Sequence, residues 1–164
     1  MNRRDLLLGL PALALAIRTP ASAALPPAPD LPLVSDLRAD ARRVETRRIP
    51  LVVLFSLPNC PYCHEVRRSH LLPLAREPGR SASFLLRQVN IGGAEQAIEF
   101  DGVSTTHAGI AKVRGIRGAP EVVFWDARGR PVADPLRGML LPDFYSAYLE
   151  EALEAAARRL REAA

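Results

Sequence analysis

The chain contains two cysteines, and they stand two residues apart in Cys60-Pro61-Tyr62-Cys63. A thiolate is the nucleophile and metal ligand among sulfur groups, so a pair at this spacing points first to disulfide exchange. Its sequence context supports that chemistry. Leu51 to Leu57 is a continuous apolar run rich in β-branched and aromatic residues, the pattern of a strand buried on both faces. Pro58-Asn59 breaks the run, and Cys60 then opens a helix-like segment. Unpaired N–H groups at a helix N-terminus stabilise a thiolate. Cys60, at the helix mouth within reach of solvent, is therefore the expected nucleophile. Cys63, one turn inward, is the thiol expected to attack the mixed disulfide and release the substrate. A passive structural bridge is the weaker alternative, because so short a loop constrains little of the unfolded chain.

Cys60-Pro61-Tyr62-Cys63-His64 also spells the c-type haem attachment pattern, with His64 as axial ligand. A haem electron carrier is thus the rival from another class. Met139 is the only plausible distal methionine, and a buried strand immediately before the pair fits a cytochrome poorly. For zinc, two cysteines with His64, His70 or His107 give no recognised ligand spacing. The expectation is no bound metal and no required cofactor.

The elements that must hold the pair can be read along the chain. Ser35 is placed to cap a helix running to Arg48, with Leu37, Ala41 and Val44 on one face and Pro50 as the stop. The segment from Cys60 to Arg76 reads as a helix interrupted at Pro73. Ser83 to Val89 reads as a second strand. A short apolar piece over 97–100 meets an Asp101-Gly102 turn, and Ser104 or Thr105 is placed to cap a helix ending near Val113. Glu121 to Trp125, the turn 126–129 and Pro131 to Ala133 read as a hairpin. The last helix begins at Pro142, with Phe144, Tyr148, Leu149, Leu153, Ala156 and Leu160 as its apolar face. This order implies an α/β domain, a mixed sheet covered by helices on both faces.

At 164 residues, 48% hydrophobic and 24% charged, the chain has the composition of one globular domain. Residues 1–23 read as an export signal: Arg3-Arg4, an apolar run from Leu6 to Ile17, and Ala21-Ser22-Ala23 for cleavage. Asn2 to Leu8 resembles the twin-arginine export motif, and Arg18 after the apolar run fits that route. An ordinary secretory signal carrying two arginines is the alternative. Either route places the domain outside the cytoplasm, in the periplasm. Residues 24–34 read as a Pro-rich linker and 35–164 as the domain. Removing the leader lowers the net charge from +4 to +2, with 19 basic against 17 acidic residues, which argues against a nucleic-acid partner.

With these pieces in place, residues 35 to 162 resemble the thioredoxin superfamily. The resemblance rests on Val52 to Phe55 before the cysteine pair, on Val113-Arg114-Gly115-Ile116-Arg117-Gly118-Ala119-Pro120, and on Val122 to Asp126 with Gly129. It implies a thioredoxin fold in which Pro120 is cis, lies beside the cysteines and leaves the backbone of Ala119 free for a substrate strand. Pro61, Tyr62, Ala119 and Pro120 would then form the substrate groove. Asp101-Gly102, Thr105 to Val113 and Arg137 to Phe144 are most similar to periplasmic thioredoxin-like proteins linked to sulfur oxidation. That likeness implies protein disulfide substrates and a membrane thiol reductase as electron donor. The Cys-Pro-Tyr-Cys spacer is also similar to that of glutaredoxins and of some disulfide isomerases. Isomerases of that kind carry a dimerisation domain that this chain lacks. One departure stands out: where thioredoxin has a buried Asp six residues before the first cysteine, this chain has Leu54.

Overall fold

A computed structural model describes residues 30–139 and 141–163. The export signal, and the linker as far as residue 29, lie outside the described residues.

The core is a four-stranded sheet in the order β2-β1-β5-β6, built from β1 (Leu51–Ser56), β2 (Leu85–Asn90), β5 (Glu121–Trp125) and β6 (Leu136–Arg137). β1 runs parallel to β2 and antiparallel to β5. All six residues of β1 are buried, because helices cover both sides of it. Alternation along the strands sends their side chains into two cores. Val52, Leu54, Leu86, Val122 and Phe124 meet Val66, Leu71, Leu149, Leu153 and Ala156 on one face. Leu51, Val53, Phe55, Val89, Val123 and Trp125 meet Leu37, Val44, Ile110 and Ala111 on the other. The first face is covered by α2 (Pro61–Glu65), α3 (Leu72–Arg76) and α5 (Tyr145–Glu162), the second by α1 (Leu37–Arg47) and α4 (His107–Val113). A small hairpin, β3 (Gln96–Ile98) and β4 (Ser104–Thr106), precedes α4. This is the mixed sheet with helices on both faces that the sequence pattern implies, and it is the thioredoxin fold.

The structure corrects several boundaries. Residues 30–34, assigned to the linker for their prolines, belong to the folded body. Gln88 N–H donates to the Pro32 carbonyl at 2.9 Å and Val34 N–H donates to the Gln88 carbonyl at 2.9 Å, while Leu31 and Val34 are buried. Pro32 lacks an N–H but its carbonyl still accepts, so an edge position tolerates it. The folded body therefore begins by Asp30, not at residue 35.

Asp36, not Ser35, caps α1, its side chain accepting from Ala39 N–H at 2.8 Å. Thr106, the last residue of β4, caps α4, its Oγ1 accepting from Gly109 N–H at 3.1 Å, in place of Ser104 or Thr105. The hairpin return is made by Leu136–Arg137, with only an isolated bridge from Trp125 to Pro131. Phe144 and Tyr148, expected on the buried face of the last helix, are 59% and 44% exposed. Pro142–Phe144 forms a tight 3-10 turn ahead of α5, and the buried face of α5 is Tyr145, Leu149, Ala152, Leu153 and Ala156, which keeps Leu149, Leu153 and Ala156 of the expected face. The interruption near Pro73 is a π-helical stretch, Val66–Leu71, joining α2 to α3. It ends as Pro73, which has no N–H to donate, enters the helix.

Candidate active site

β1 delivers the cysteine pair to the edge of the core. Beyond Ser56 the chain passes through Leu57-Pro58-Asn59, and Asn59 takes a left-handed conformation with φ of 57°. Asn tolerates that region through its short polar side chain. The turn sets Cys60 at the N-cap of α2, in extended conformation, with Pro61 in the first turn. Pro is favoured there because its missing N–H would have had no helical partner.

Cys60 Sγ accepts a hydrogen bond from Cys63 N–H at 3.1 Å, as a capping oxygen would. The two sulfurs are joined as a disulfide across a Cα–Cα distance of 5.2 Å. Cys60 is half-buried, whereas Cys63 is fully enclosed. Reduction would leave a thiolate at Cys60 facing the free N–H groups of the first turn, and Cys63 shielded behind it.

The register of β1 with β5 pairs Phe55 with Glu121, so Pro120 stands at the level of Ser56, at the sheet end from which the chain runs to Cys60. The Ala119–Pro120 bond is cis. The Pro120 carbonyl accepts from Gly138 N–H at 2.8 Å, while the Ala119 backbone makes no such bond among the described residues. An open groove lined by Gly118, Ala119, Pro120, Glu121, Arg137 and Gly138 follows this edge. Tyr62 is 61% exposed on the helix mouth.

Two buried charged residues, one on the same helical stretch as the pair and one at the start of β5, were not singled out by sequence. Leu54 is fully buried, so no carboxylate occupies that position. Arg67 is buried, four residues beyond Cys63. Its Nη2 donates to Ser56 Oγ at 3.2 Å and its Nη1 to Asp30 at 3.1 Å. Its Nε is buried without a partner among the described residues. Glu121, directly after Pro120, is buried and held by Arg137 Nε at 3.2 Å. The available signal for Arg67 was its i+4 spacing from Cys63 on a helix.

The three histidines do not converge. His64 is exposed. His70 Nδ1 lies 2.9 Å from Ser146 Oγ, against the Tyr145 ring, and burial lowers its pKa against an opposing pull from Glu65. His107 is fully buried, accepting from Asn90 N–H at Nδ1 and reaching the Val34 carbonyl through Nε2. No group of three His, Cys, Asp or Glu side chains among the described residues is placed to hold a metal ion. The haem pattern fits poorly, because Cys63 is enclosed in the core while the adjacent His64 faces solvent.

A redox-active cysteine pair at a helix mouth, on this fold, defines a thiol-disulfide oxidoreductase. The chain belongs to the thioredoxin-like domain family, whose model matches residues 37–153. Among solved structures, it is similar to the thioredoxin Mala s 13 of Malassezia sympodialis, with a TM-score of 0.53 and 16% identity over 79% of this chain and 96% of the other. It is also similar to oxidised mitochondrial thioredoxin 3 of Saccharomyces cerevisiae, with a TM-score of 0.51 and 14% identity over 76% and 93%. At such identities the likeness is one of fold. No curated protein matches the chain in sequence.

Proposed function

We propose that this protein reduces disulfides of exported proteins in the periplasm, in the manner of the thioredoxin-like proteins linked to sulfur oxidation, and that a membrane thiol reductase returns its pair to the dithiol. The observation that carries the reading is the unequal setting of the two sulfurs: Cys60 half-buried at the helix opening, Cys63 enclosed behind it. In the forward direction the Cys60 thiolate attacks one sulfur of a substrate disulfide and expels the other as a thiolate. Cys63, deprotonated, then attacks Cys60 Sγ and releases the second substrate sulfur. Two electrons pass to the substrate, and the protons lost by the dithiol end on the product thiols. Ala119 and Pro120 border the groove in which an extended substrate segment would pair.

The compartment rests on residues 1–23. The direction rests on the Pro61-Tyr62 spacer, which is similar to that of glutaredoxins, whose potentials run roughly from −200 to −230 mV. Equilibrating the purified protein with defined glutathione ratios, beside insulin-reduction and model-protein oxidation assays, tests the direction. Insulin reduction with an intermediate potential supports a reductase. A potential near about −120 mV, as in a strong oxidant, with fast oxidation of the model protein overturns it. Replacing Arg3-Arg4 by Lys-Lys should block export by the twin-arginine route; unchanged export would assign the ordinary secretory route.

A further inference from the structure

Arg67 is a buried charge that the disulfide chemistry described so far does not use. The other buried acids and their arginines form closed pairs: Asp40 with Arg87, Glu99 with Arg114, Glu121 with Arg137 and Asp126 with Arg130. Among the described residues, Arg67 has no buried acid. Its single carboxylate, Asp30, is 80% exposed in its side chain, so solvent weakens the pairing. Its remaining contact is the neutral Ser56 hydroxyl, and its Nε is unpartnered. A guanidinium taken from water and left incompletely paired is costly. Its charge therefore remains available to any neighbouring group that can become negative.

That group is Cys63. Arg67 stands four residues beyond Cys63, at the step from α2 into the π-helical stretch Val66–Leu71, so the two buried side chains leave the helix about one turn apart. Ser56, which Arg67 holds, is the last residue of β1 before the turn to Cys60. The other charged groups around the pair are otherwise engaged or solvated. Glu121 on β5 is held by Arg137, Gln88 on β2 is uncharged, and His64, Glu65 and Arg68 on the same helical stretch are exposed. At Leu54 there is no side chain that could accept a proton.

We propose that Arg67 is the buried cation that keeps Cys63 ionised for the second step of disulfide exchange, and that Asp30 sets how strongly it does so. Resting on the oxidoreductase reading, this makes Arg67 a positioning residue of the thiol chemistry, acting through Cys63. Cys63 loses its proton before the step and that proton ends on the departing substrate sulfur; the Cys63 thiolate forms the bond to Cys60 Sγ, and the substrate sulfur leaves with the electron pair of the broken mixed disulfide. A buried cation replaces a buried base, and the same charge favours the dithiol form over the disulfide.

The test measures Cys63 ionisation in a Cys60→Ser background by ultraviolet thiolate absorbance against pH, and the glutathione equilibrium of the intact pair. Arg67→Met should raise the Cys63 midpoint by about one pH unit and move the equilibrium about tenfold toward the disulfide, about 30 mV. Arg67→Lys should retain most of the wild-type value. Asp30→Asn should shift both readouts the opposite way, about two- to threefold, because it unmasks the cation. A folded Arg67→Met protein with both readouts unchanged, whatever its melting temperature, overturns the proposal. If Arg67→Met does not fold, Asp30→Asn decides alone, since its side chain is largely in solvent; no shift, or a shift in the same direction as expected for Arg67→Met, overturns it. Failure of the wild type to reduce insulin would instead strike the reductase reading and leave these ionisation shifts as they are.

Discussion

Reducing the Cys60–Cys63 bond changes the stability of the fold, and the sign of that change reports the direction in which the pair drives electrons. The bridge spans a sequence separation of 3. Closing so small a ring removes about 6 cal/mol/K from the unfolded chain, or about 2 kcal/mol at 25 °C in favour of the oxidised form. Opposing it, the reduced protein gains the interaction of the Cys60 thiolate with the N–H groups of the first turn, about 1 kcal/mol near a helix terminus, and the tenfold contribution of Arg67 at Cys63, about 1.4 kcal/mol. These terms nearly cancel at neutral pH, so the oxidised and reduced forms should melt within about 2 °C of each other. Acidification protonates the thiolates and removes the opposing interactions, so a gap of about 2 kcal/mol in favour of the oxidised form should open as pH falls. Calorimetry of the protein with and without excess dithiol, at neutral and mildly acidic pH, measures both numbers. A reduced form that melts clearly above the oxidised form at neutral pH would refute the reasoning and mark the pair as an oxidant.

In reduced protein, Cys60 should be alkylated first, and Cys63→Ser should accumulate mixed disulfides with substrate proteins; preferential labelling of Cys63 by mass spectrometry would reverse the roles. Asp40→Ala should destabilise the fold by about 3–5 kcal/mol in urea titration, because it strands Arg87, which donates to both carboxylate oxygens at 2.8 and 2.7 Å inside the protein. Burial lowers the His70 pKa below 6.5, so as pH falls through 6.5 the unfolded chain takes up the proton first and stability declines; His70→Phe should flatten that part of the stability–pH curve.

The parts of the fold legible in the sequence were those in which one strong pattern acts alone. Leu51 to Phe55 is apolar at every position because both its faces are covered, so the central strand stood out without its neighbours. The cysteine pair was placed by the strand before it and the helix after it. Legibility failed where tertiary pairing outweighed local chemistry. The prolines around Leu31 to Val34 suggested a linker, yet the carbonyl of Pro32 and the amide of Val34 complete the edge of β2. Ser104 and Thr105 are good caps by type, but β4 runs on through Thr106 and α4 begins at His107, so the capping position falls on Thr106. On α5 the sequence placed Leu149, Leu153 and Ala156 correctly, but Phe144 lies in the 3-10 turn ahead of the helix and Tyr148 faces out, while Tyr145 and Ala152 take the inward positions.

At the site, the visible departure was Leu54, and a departure of one residue shows what is missing without showing what replaces it. The replacement is spread over three segments: Asp30 before the first helix, Ser56 at the end of β1 and Arg67 beyond the cysteines. Their contacts span separations of 37 and 11 residues, and no local period announces them. Along the chain Arg67 is one arginine of the Arg67-Arg68 pair on a helix rich in charge, and only packing distinguishes the buried Arg67 from the exposed Arg68. Thiol chemistry needs a negative sulfur at two successive moments, and the fold treats them separately. At Cys60 the helix terminus supplies the field through backbone N–H groups that any sequence would provide. At Cys63, shielded from water, a side chain must supply it. A chain that buries leucine where an acid would accept the proton can still run the second step if a cation lies within a helical turn, and among the described residues Arg67 is a buried arginine whose charge no buried acid holds.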